Sequence, residues 1–185
     1  MNDVFLKVDE ISKEEDALTW AINTAVGRNK VYKNSGDDKE RQKFRARWKE
    51  LLLREAKGYR KPAQAITDEQ HCAAISRIAD ELSCEFKGLL EGRLRFGTSQ
   101  KAFNVFLKYL WALGKAAMPP HCPIDRVVLT AVGIEASWQH CDSASEYLGW
   151  INEIRKRLTL AEWENEVWLR WRISNSGSRA ASTQL

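Results

Sequence analysis

Helix start signals recur along this chain more clearly than any other feature. At four places a Ser or Thr is followed three residues later by Glu or Gln, a pairing in which each side chain bonds a backbone N–H that the first helical turn leaves unpaired. The four pairs are Ser12 with Glu15, Thr67 with Gln70, Ser143 with Glu146, and Thr159 with Glu162. The first pair predicts a helix to about Val26 and the second a helix to about Cys84. Because no alternating polar and apolar run extends beyond a few residues, we expect an all-α fold.

Three further segments have the apolar spacing of a helix. Residues 38–56 form an amphipathic, basic segment that is expected to end before Gly58. Residues 98–117 are apolar around most of the circumference, which is typical of a helix inside a core, and a pair of prolines then stops that helix. Pro123 suits the first turn of the next helix, which would run to Gly133. Together with the four marked starts, these segments predict about seven helices.

The composition is typical of one globular domain. The chain has 185 residues, 44% of them hydrophobic and 29% charged, with a mean hydropathy of −0.47. We expect residues 1–173 to form a single helical domain. Residues 174–185 lack apolar periodicity and are expected to be a disordered tail. This organisation is compatible with a monomer or a dimer.

Two features bear on cellular location. No apolar run approaches the roughly 20 residues that span a bilayer, and the first residues lack the basic start and apolar core of a signal peptide. We therefore expect an intracellular, cytoplasmic protein without a membrane partner. The four cysteines, none of them in a CxxC motif, are expected to remain reduced thiols.

Positive charge is concentrated in one stretch of the chain. Residues 28–61 contain thirteen Lys and Arg and five acidic residues, a net charge of +8, whereas the whole chain carries +4. Such a stretch is either an electrostatic contact surface for phosphates or a solvated helix face. The sequence leaves both interpretations open.

Each histidine is followed directly by a cysteine, at His71, His121 and His140. Zinc requires four N or S donors in a tetrahedron, and adjacent residues chelate a metal poorly, so we expect no metal. We expect the thiols to pack as small hydrophobic groups beside histidines at helix termini. A metal-dependent enzyme built from these pairs remains an alternative, and it would require the pairs to converge in space. A cysteine nucleophile with a histidine base is a further alternative.

The segment that begins at Gly97 combines features that suit phosphate and sugar chemistry. A glycine turn leads into a helix whose free backbone N–H groups suit a phosphate, Lys101 lies in the first turn of that helix, and Asp125 lies at the start of the next one. The sequence GTSQKA from Gly97, followed by CPIDRVV from Cys122, resembles the hairpin and aspartate segments of the helix-hairpin-helix DNA glycosylase superfamily. That superfamily includes endonuclease III and the 8-oxoguanine glycosylases. The likeness spans about residues 97–133.

This resemblance implies a helix-hairpin-helix glycosylase-like fold, DNA as the partner, and a DNA glycosylase with AP lyase activity. By position, Lys101 would be the Schiff-base nucleophile that attacks C1′ of the sugar, and Asp125 would assist base loss. Ser99 stands where the family has the second hairpin glycine, so a side chain would lie where the family's backbone approaches DNA. The chain lacks the four-cysteine cluster motif of the endonuclease III branch, so no iron–sulfur centre or other cofactor is expected.

Nucleic-acid contacts are expected along the basic segment and around the hairpin. Lys108 lies seven residues beyond Lys101, on about the same helix face, and is a second candidate nucleophile or a phosphate contact. The full set of expected contacts is Arg41, Lys43, Arg45, Arg47, Arg93, Arg95, Gly97, Ser99 and Lys108.

A second hypothesis needs no catalysis. In it the chain is a helical interaction module that binds nucleic acid or an acidic protein, Lys101 is a solvated residue, and Asp125 caps its helix.

The tryptophans also allow two interpretations, since Trp111, Trp138 and Trp150 could hold a flipped base or belong to the core. Near the C-terminus an apolar stripe is expected to pack against the central helix, and its members are Leu160, Trp163, Val167 and Trp171.

Overall fold

A computed structural model describes residues 13–27, 29–33, 37–60 and 65–156. These residues form six α-helices: α1 (Glu14–Val26), α2 (Asp38–Arg60), α3 (Asp68–Glu85), α4 (Phe96–Ala112), α5 (Arg126–Ala131) and α6 (Ala144–Arg155). A single 3₁₀ turn, Trp138–His140, precedes α6. The described residues contain no β-strand beyond one isolated antiparallel bridge between Tyr32 and Leu90.

The predicted all-α class is therefore confirmed for this part of the chain, with six α-helices instead of seven. The seventh predicted helix, which would begin at Thr159, lies outside the described residues. The apolar stripe near the C-terminus and the tail from residue 174 also lie outside them. None of the described helices has the length and apolarity that crossing a membrane requires.

Helix α4 is the centre of the fold. Every residue from Phe96 to Leu107 is buried, as its apolar circumference predicts. Helix α1 makes its main contact with α4, and its buried face carries Ala17, Ala21 and Ala25 at a spacing of four residues. Such small side chains let two helix backbones approach closely. Helices α2 and α3 also pack against α4.

Local capping chemistry accounts for several helix boundaries. Thr67 and Gln70 form the complete reciprocal box predicted for α3. Ser143 accepts from the backbone N–H of Glu146 at the start of α6, also as predicted. Helix α5 ends at Ala131, two residues before the glycine predicted to stop it, Gly133, which has a φ of +74°. The backbone N–H of the residue after Gly133 bonds back into α5, which completes a Schellman cap.

Five predicted helix boundaries are wrong, and tertiary or capping contacts account for three of them. Helix α2 continues past Gly58 to Arg60, because Tyr59 is buried and bonded to another helix. Helix α4 starts two residues early, at Phe96, and ends before Gly114, whose positive φ and back-bonding form a second Schellman cap. Pro123 precedes α5 because the N-cap of α5 is Asp125. The N-cap of α1 is Lys13 rather than Ser12, and nothing in the structure explains that shift.

Candidate active site

The two residues singled out by the resemblance lie in direct contact. Lys101 Nζ donates to Asp125 Oδ2 at 2.8 Å, and the two side chains are only 8% and 12% exposed. Lys101 lies in the second turn of α4 rather than the first, because α4 begins at Phe96. The alternative in which Lys101 is solvated is therefore wrong, since this side chain is buried.

Asp125 has two structural partners at once. Its Oδ1 accepts from the backbone N–H of Val128 at 3.1 Å, which makes Asp125 the N-cap of α5, while Oδ2 faces Lys101. The capping role considered for this residue is thus confirmed, and it coexists with the ion pair. Because the cap fixes Asp125 at the helix start, the carboxylate is presented to Lys101 in one orientation.

One residue before each member of this pair, a second contact joins the same two segments. Gln100 Nε2 donates to the carbonyl oxygen of Ile124 at 2.8 Å, and Gln100 Oε1 accepts from the Ile124 N–H at 3.1 Å. Both residues are fully buried. The side-chain amide of Gln100 therefore bonds both backbone polar groups of one residue in the connection between α4 and α5.

Asn104, one turn further along α4, lies at the centre of a buried hydrogen-bond network. Its Nδ2 faces three acceptors, Gln100 Oε1 at 3.1 Å, the Cys122 carbonyl at 3.1 Å and the Tyr147 hydroxyl at 2.9 Å. Its Oδ1 lies 2.8 Å from His71 Nε2. Asn104 thereby connects α3, α4, α6 and the connection that carries Asp125, without any exposure of its own.

The histidines of this network are neutral and their tautomers are determined by their partners. His121 Nε2 lies 3.0 Å from a carboxylate oxygen of Asp68, which can only accept, so Nε2 carries the proton. His121 Nδ1 then accepts from the Tyr147 hydroxyl at 3.0 Å. By the same logic His71 Nε2 donates to Asn104 Oδ1, and the Tyr59 hydroxyl donates to His71 Nδ1 at 2.8 Å.

Burial determines the protonation of these groups. Desolvation lowers the pKa of His121 to about 4, although Asp68 acts in the opposite direction, and it lowers the pKa of His71 well below its ordinary value. Hydrogen bonds from Arg155 hold the pKa of Asp68 far below its usual range. Near pH 7 the network therefore contains two neutral imidazoles and one carboxylate.

The three His–Cys pairs differ from one another in burial. His71 and His121 lie in the core with their ring centroids 4.4 Å apart, whereas His140 belongs to the 3₁₀ turn. Within the described ranges, no three His, Cys, Asp or Glu side chains are grouped so that they could hold a metal ion. The four cysteines, all in described segments, are free thiols, and three of them are buried.

The environment of two buried thiols does not favour a nucleophile. Burial raises the pKa of Cys72 to about 11 and that of Cys141 to about 12. Both groups are therefore protonated near pH 7, whereas a cysteine nucleophile reacts as the thiolate.

Two predicted nucleic-acid contacts, Gly97 and Ser99, are packed against protein. A Cβ atom at Gly97 would lie 1.7 Å from the carbonyl oxygen of Trp138, so only glycine allows α4 to approach the 3₁₀ turn this closely. The hydroxyl of Ser99 donates to the Ile75 carbonyl of α3 at 2.9 Å. Both residues are buried in the described structure.

The basic residues of α2 differ in their partners. Arg47 bonds three carboxylates, those of Glu50, Glu81 and Glu85. Arg45 donates to the Asn23 side chain at 2.6 Å. Lys43 is exposed, and no acidic side chain of the described ranges lies within ion-pair distance of it. Arg47 is therefore neutralised within the protein to a greater degree than Lys43.

The remaining expected contacts lie on α2, just before α4 and on α4. Arg41 pairs weakly with Asp38 at 3.4 Å, and its guanidinium lies 5.3 Å from the ring centroid of Tyr32. Arg93 pairs with Asp80 at 2.8 Å, and Arg95 donates to the His140 carbonyl at 3.2 Å. Lys108 is half-buried on α4.

The three candidate tryptophans also differ in burial. Trp138 and Trp150 are each 6% exposed and belong to the hydrophobic core, whereas Trp111 is half-buried at the end of α4. The core alternative is therefore confirmed for the first two.

Sequence reasoning missed the polar residues of the buried network. Gln100 and Asn104 are spaced four residues apart within a largely apolar helix, and that spacing places both on one helix face. Polar side chains on the core face of a buried helix require hydrogen-bond partners, so this pattern was the available signal.

Comparison of the chain with protein-family models, with curated proteins and with solved structures finds no match.

Proposed function

We propose that this protein is a DNA-binding enzyme of the helix-hairpin-helix glycosylase type, which excises a damaged base by Schiff-base AP lyase chemistry. The observation that carries the proposal is the 2.8 Å contact between Lys101 Nζ and Asp125 Oδ2. The resemblance assigns complementary roles to these two residues, which are separated by 24 positions in the chain. A nucleophile within hydrogen-bond distance of a proton acceptor is the arrangement that such chemistry requires.

In the first step, the Lys101 ammonium gives a proton to Asp125 Oδ2, to which it already donates. The freed lone pair of Nζ forms a bond to C1′ of the sugar, while the C1′–N bond to the base breaks and its electron pair leaves with the base, which takes up the proton held by Asp125. A proton of the attached nitrogen then passes to O4′ as the C1′–O4′ bond breaks, and the ring opens to an iminium. Loss of a C2′ proton to water finally forms the C2′–C3′ double bond and expels the 3′ phosphate.

The basic surface supports binding of the duplex. Lys43 and Arg45 lie on α2, and Arg95 lies at the N-terminus of α4, all with at least part of the side chain exposed. Phosphate contacts by such residues release condensed counterions, so binding would weaken as salt rises. Under this proposal the described helices belong to a helix-hairpin-helix fold.

Borohydride trapping tests the proposal. Oligonucleotide duplexes carrying 8-oxoguanine, uracil or an abasic site are incubated with wild type, Lys101→Gln and Lys108→Gln in the presence of borohydride. We expect a covalent adduct with wild type and Lys108→Gln and none with Lys101→Gln, because reduction captures only the iminium on the nucleophile. An adduct that survives in Lys101→Gln but is lost in Lys108→Gln would contradict the assignment.

The non-catalytic alternative also has a specific observation in its favour. The ion pair with Lys101 and the cap on Val128 account for both oxygens of Asp125 without any substrate. If wild type forms no adduct and releases no base, yet binds duplex DNA in a salt-sensitive way, the protein is an interaction module. Binding that is unaffected by salt and by Arg45→Glu would exclude the nucleic-acid form of that alternative and leave an acidic protein partner.

A further inference from the structure

Between α4 and α5 the chain runs through residues 113–125 without regular secondary structure beyond the turn that ends α4. Buried backbone N–H and C=O groups in such a segment need hydrogen-bond partners. Helix α4 supplies some of them through its side chains, since Asn104 bonds the Cys122 carbonyl and Gln100 bonds both the N–H and the C=O of Ile124. The end of the connection is thus fastened to the helix that it follows.

The contact between Gln100 and Ile124 lies next to the candidate active site in both segments. Gln100 immediately precedes Lys101, and Ile124 immediately precedes Asp125. Each of the two contacts therefore joins residues that are 24 positions apart. A displacement of the Ile124 backbone would move Asp125 by a similar amount. Because proton transfer needs heavy atoms within about 3.2 Å, a shift of 1 Å would break the contact with Lys101.

The orientation of the Gln100 amide is itself determined by the network. Its Oε1 accepts from both the Ile124 N–H and Asn104 Nδ2, while its Nε2 donates to the Ile124 carbonyl. Asn104 is held in turn by His71 and Tyr147. A flipped Gln100 amide would place its NH₂ against two donors, so only the observed orientation is satisfied.

We propose that Gln100 is a positioning residue, whose buried amide holds the Ile124 backbone and thereby keeps Asp125 in contact with Lys101. The catalytic role of Gln100 rests on the proposed function. Its effect on the position of Asp125, however, can be measured even in an inactive protein. The reporter is the Val128 amide, because its N–H bonds Asp125 Oδ1 and therefore responds to the position of that carboxylate.

The first experiment measures amide hydrogen exchange in wild type, Gln100→Met and Ser99→Ala. Met keeps the approximate volume of Gln and removes both bonds to Ile124. Ser99→Ala is the matched control, since it removes a buried bond from the adjacent residue of α4 that is directed to α3 instead. We expect exchange of the Ile124 and Val128 amides to accelerate at least tenfold in Gln100→Met relative to Ser99→Ala. Faster exchange at Ile124 with Val128 unchanged would overturn the proposal.

The second experiment links the contact to chemistry. Under single-turnover conditions we expect Gln100→Met to slow adduct formation at least tenfold while the Kd for the duplex changes less than twofold, since the Gln100 side chain is fully buried. In an Asp125→Asn background the same substitution should slow the reaction no further, because Gln100 acts through Asp125. Full additivity of the two substitutions would assign Gln100 a merely structural role.

Together, the two experiments distinguish failure of the proposed function from failure of the positioning role of Gln100. If wild type is inactive but the Val128 amide responds as expected, the proposed function fails and the positioning of Asp125 stands. If wild type is active and the Val128 amide does not respond, the positioning role fails alone. Should Gln100→Met not fold, Gln100→Glu retains the acceptor for the Ile124 N–H and replaces the NH₂ that donates to the Ile124 carbonyl by an oxygen. In that variant the same two amides are compared with Ser99→Ala, and an unchanged Val128 amide again overturns the proposal.

Discussion

Two charged regions of this molecule differ in where their partners lie. Between α2 and α3, Arg47 and Arg54 bond Glu81 and other carboxylates at the surface, with a third or more of each arginine side chain exposed. Between α4 and the start of α5, Lys101 and Asp125 pair almost without exposure. Exposed pairs contribute about 0–1 kcal/mol, whereas a buried pair bears a large desolvation cost. Burial of an ion pair is therefore weak evidence that the pair stabilises the fold.

The largest expected difference between the two regions is in the free energy of unfolding that is lost when one member of an ion pair is removed. We expect Asp125→Ala to lower the free energy of unfolding by about 4 kcal/mol, because it removes the carboxylate beside a buried ammonium and the N-cap of α5. Glu85→Ala, which removes one exposed partner of Arg47, should cost less than about 1 kcal/mol. Urea denaturation measures both. Equal losses in the two variants would show that burial does not distinguish the two regions.

The buried histidines make the network region sensitive to acid. The pKa of His121 is about 4 in the folded protein, below its ordinary value of 6.5, so the unfolded chain binds the proton more readily between these values. Stability is therefore present above pH 6.5 and is lost as the pH falls toward 4, by up to about 3 kcal/mol. The lowered pKa of His71 acts in the same direction, and that of Asp68 adds a loss only at lower pH.

Thermal or urea unfolding between pH 7 and pH 4 measures this loss. In His121→Gln the dependence of stability on pH should be shallower over that range, although the variant is less stable at pH 7. An unchanged pH dependence would show that His121 does not titrate differently in the two states.

Because α4 approaches the 3₁₀ turn closely, we expect a smaller loss of stability when a single methyl group is added at Gly97. Gly97→Ala would place Cβ 1.7 Å from the Trp138 carbonyl oxygen, so the backbone must shift, at a cost of about 2 kcal/mol. Gly88→Ala is the matched control, because a Cβ there meets nothing within 4 Å. It should change stability by no more than about 0.5 kcal/mol. A tolerated Gly97→Ala would contradict the packing described for the start of α4.

The smallest expected effect concerns Lys43 and Arg47 on the surface of α2, and it would appear in the salt dependence of DNA binding. If α2 contacts DNA, Lys43→Ala should reduce the slope of log Kd against log salt by about 1, because an exposed phosphate contact is lost. Arg47→Ala should change the slope less, since three carboxylates already neutralise Arg47. Fluorescence anisotropy on a duplex at several salt concentrations measures both slopes. A larger change for Arg47→Ala would reverse the assignment.

The helices of this fold were predictable where their signals are local. Thr67 with Gln70, Ser143 and Gly133 act on backbone groups within a few residues, so their roles follow from the sequence around them. The end of α2 was not predictable in this way, because the burial of Tyr59 and its bond to His71 carry the helix past Gly58. Tertiary contacts there outweigh a helix-breaking residue.

The candidate site shows the same division. The all-α class of the described residues could be predicted from the sequence, which also offered a cap at Asp125 as one alternative and pointed to Lys101 and Asp125 through their motifs. That these two side chains meet, and that Gln100, Asn104, Tyr147 and two histidines form the network beside them, depends on tertiary packing. Capping involves neighbours in sequence, whereas these bonds join residues up to 53 positions apart, which only packing brings together.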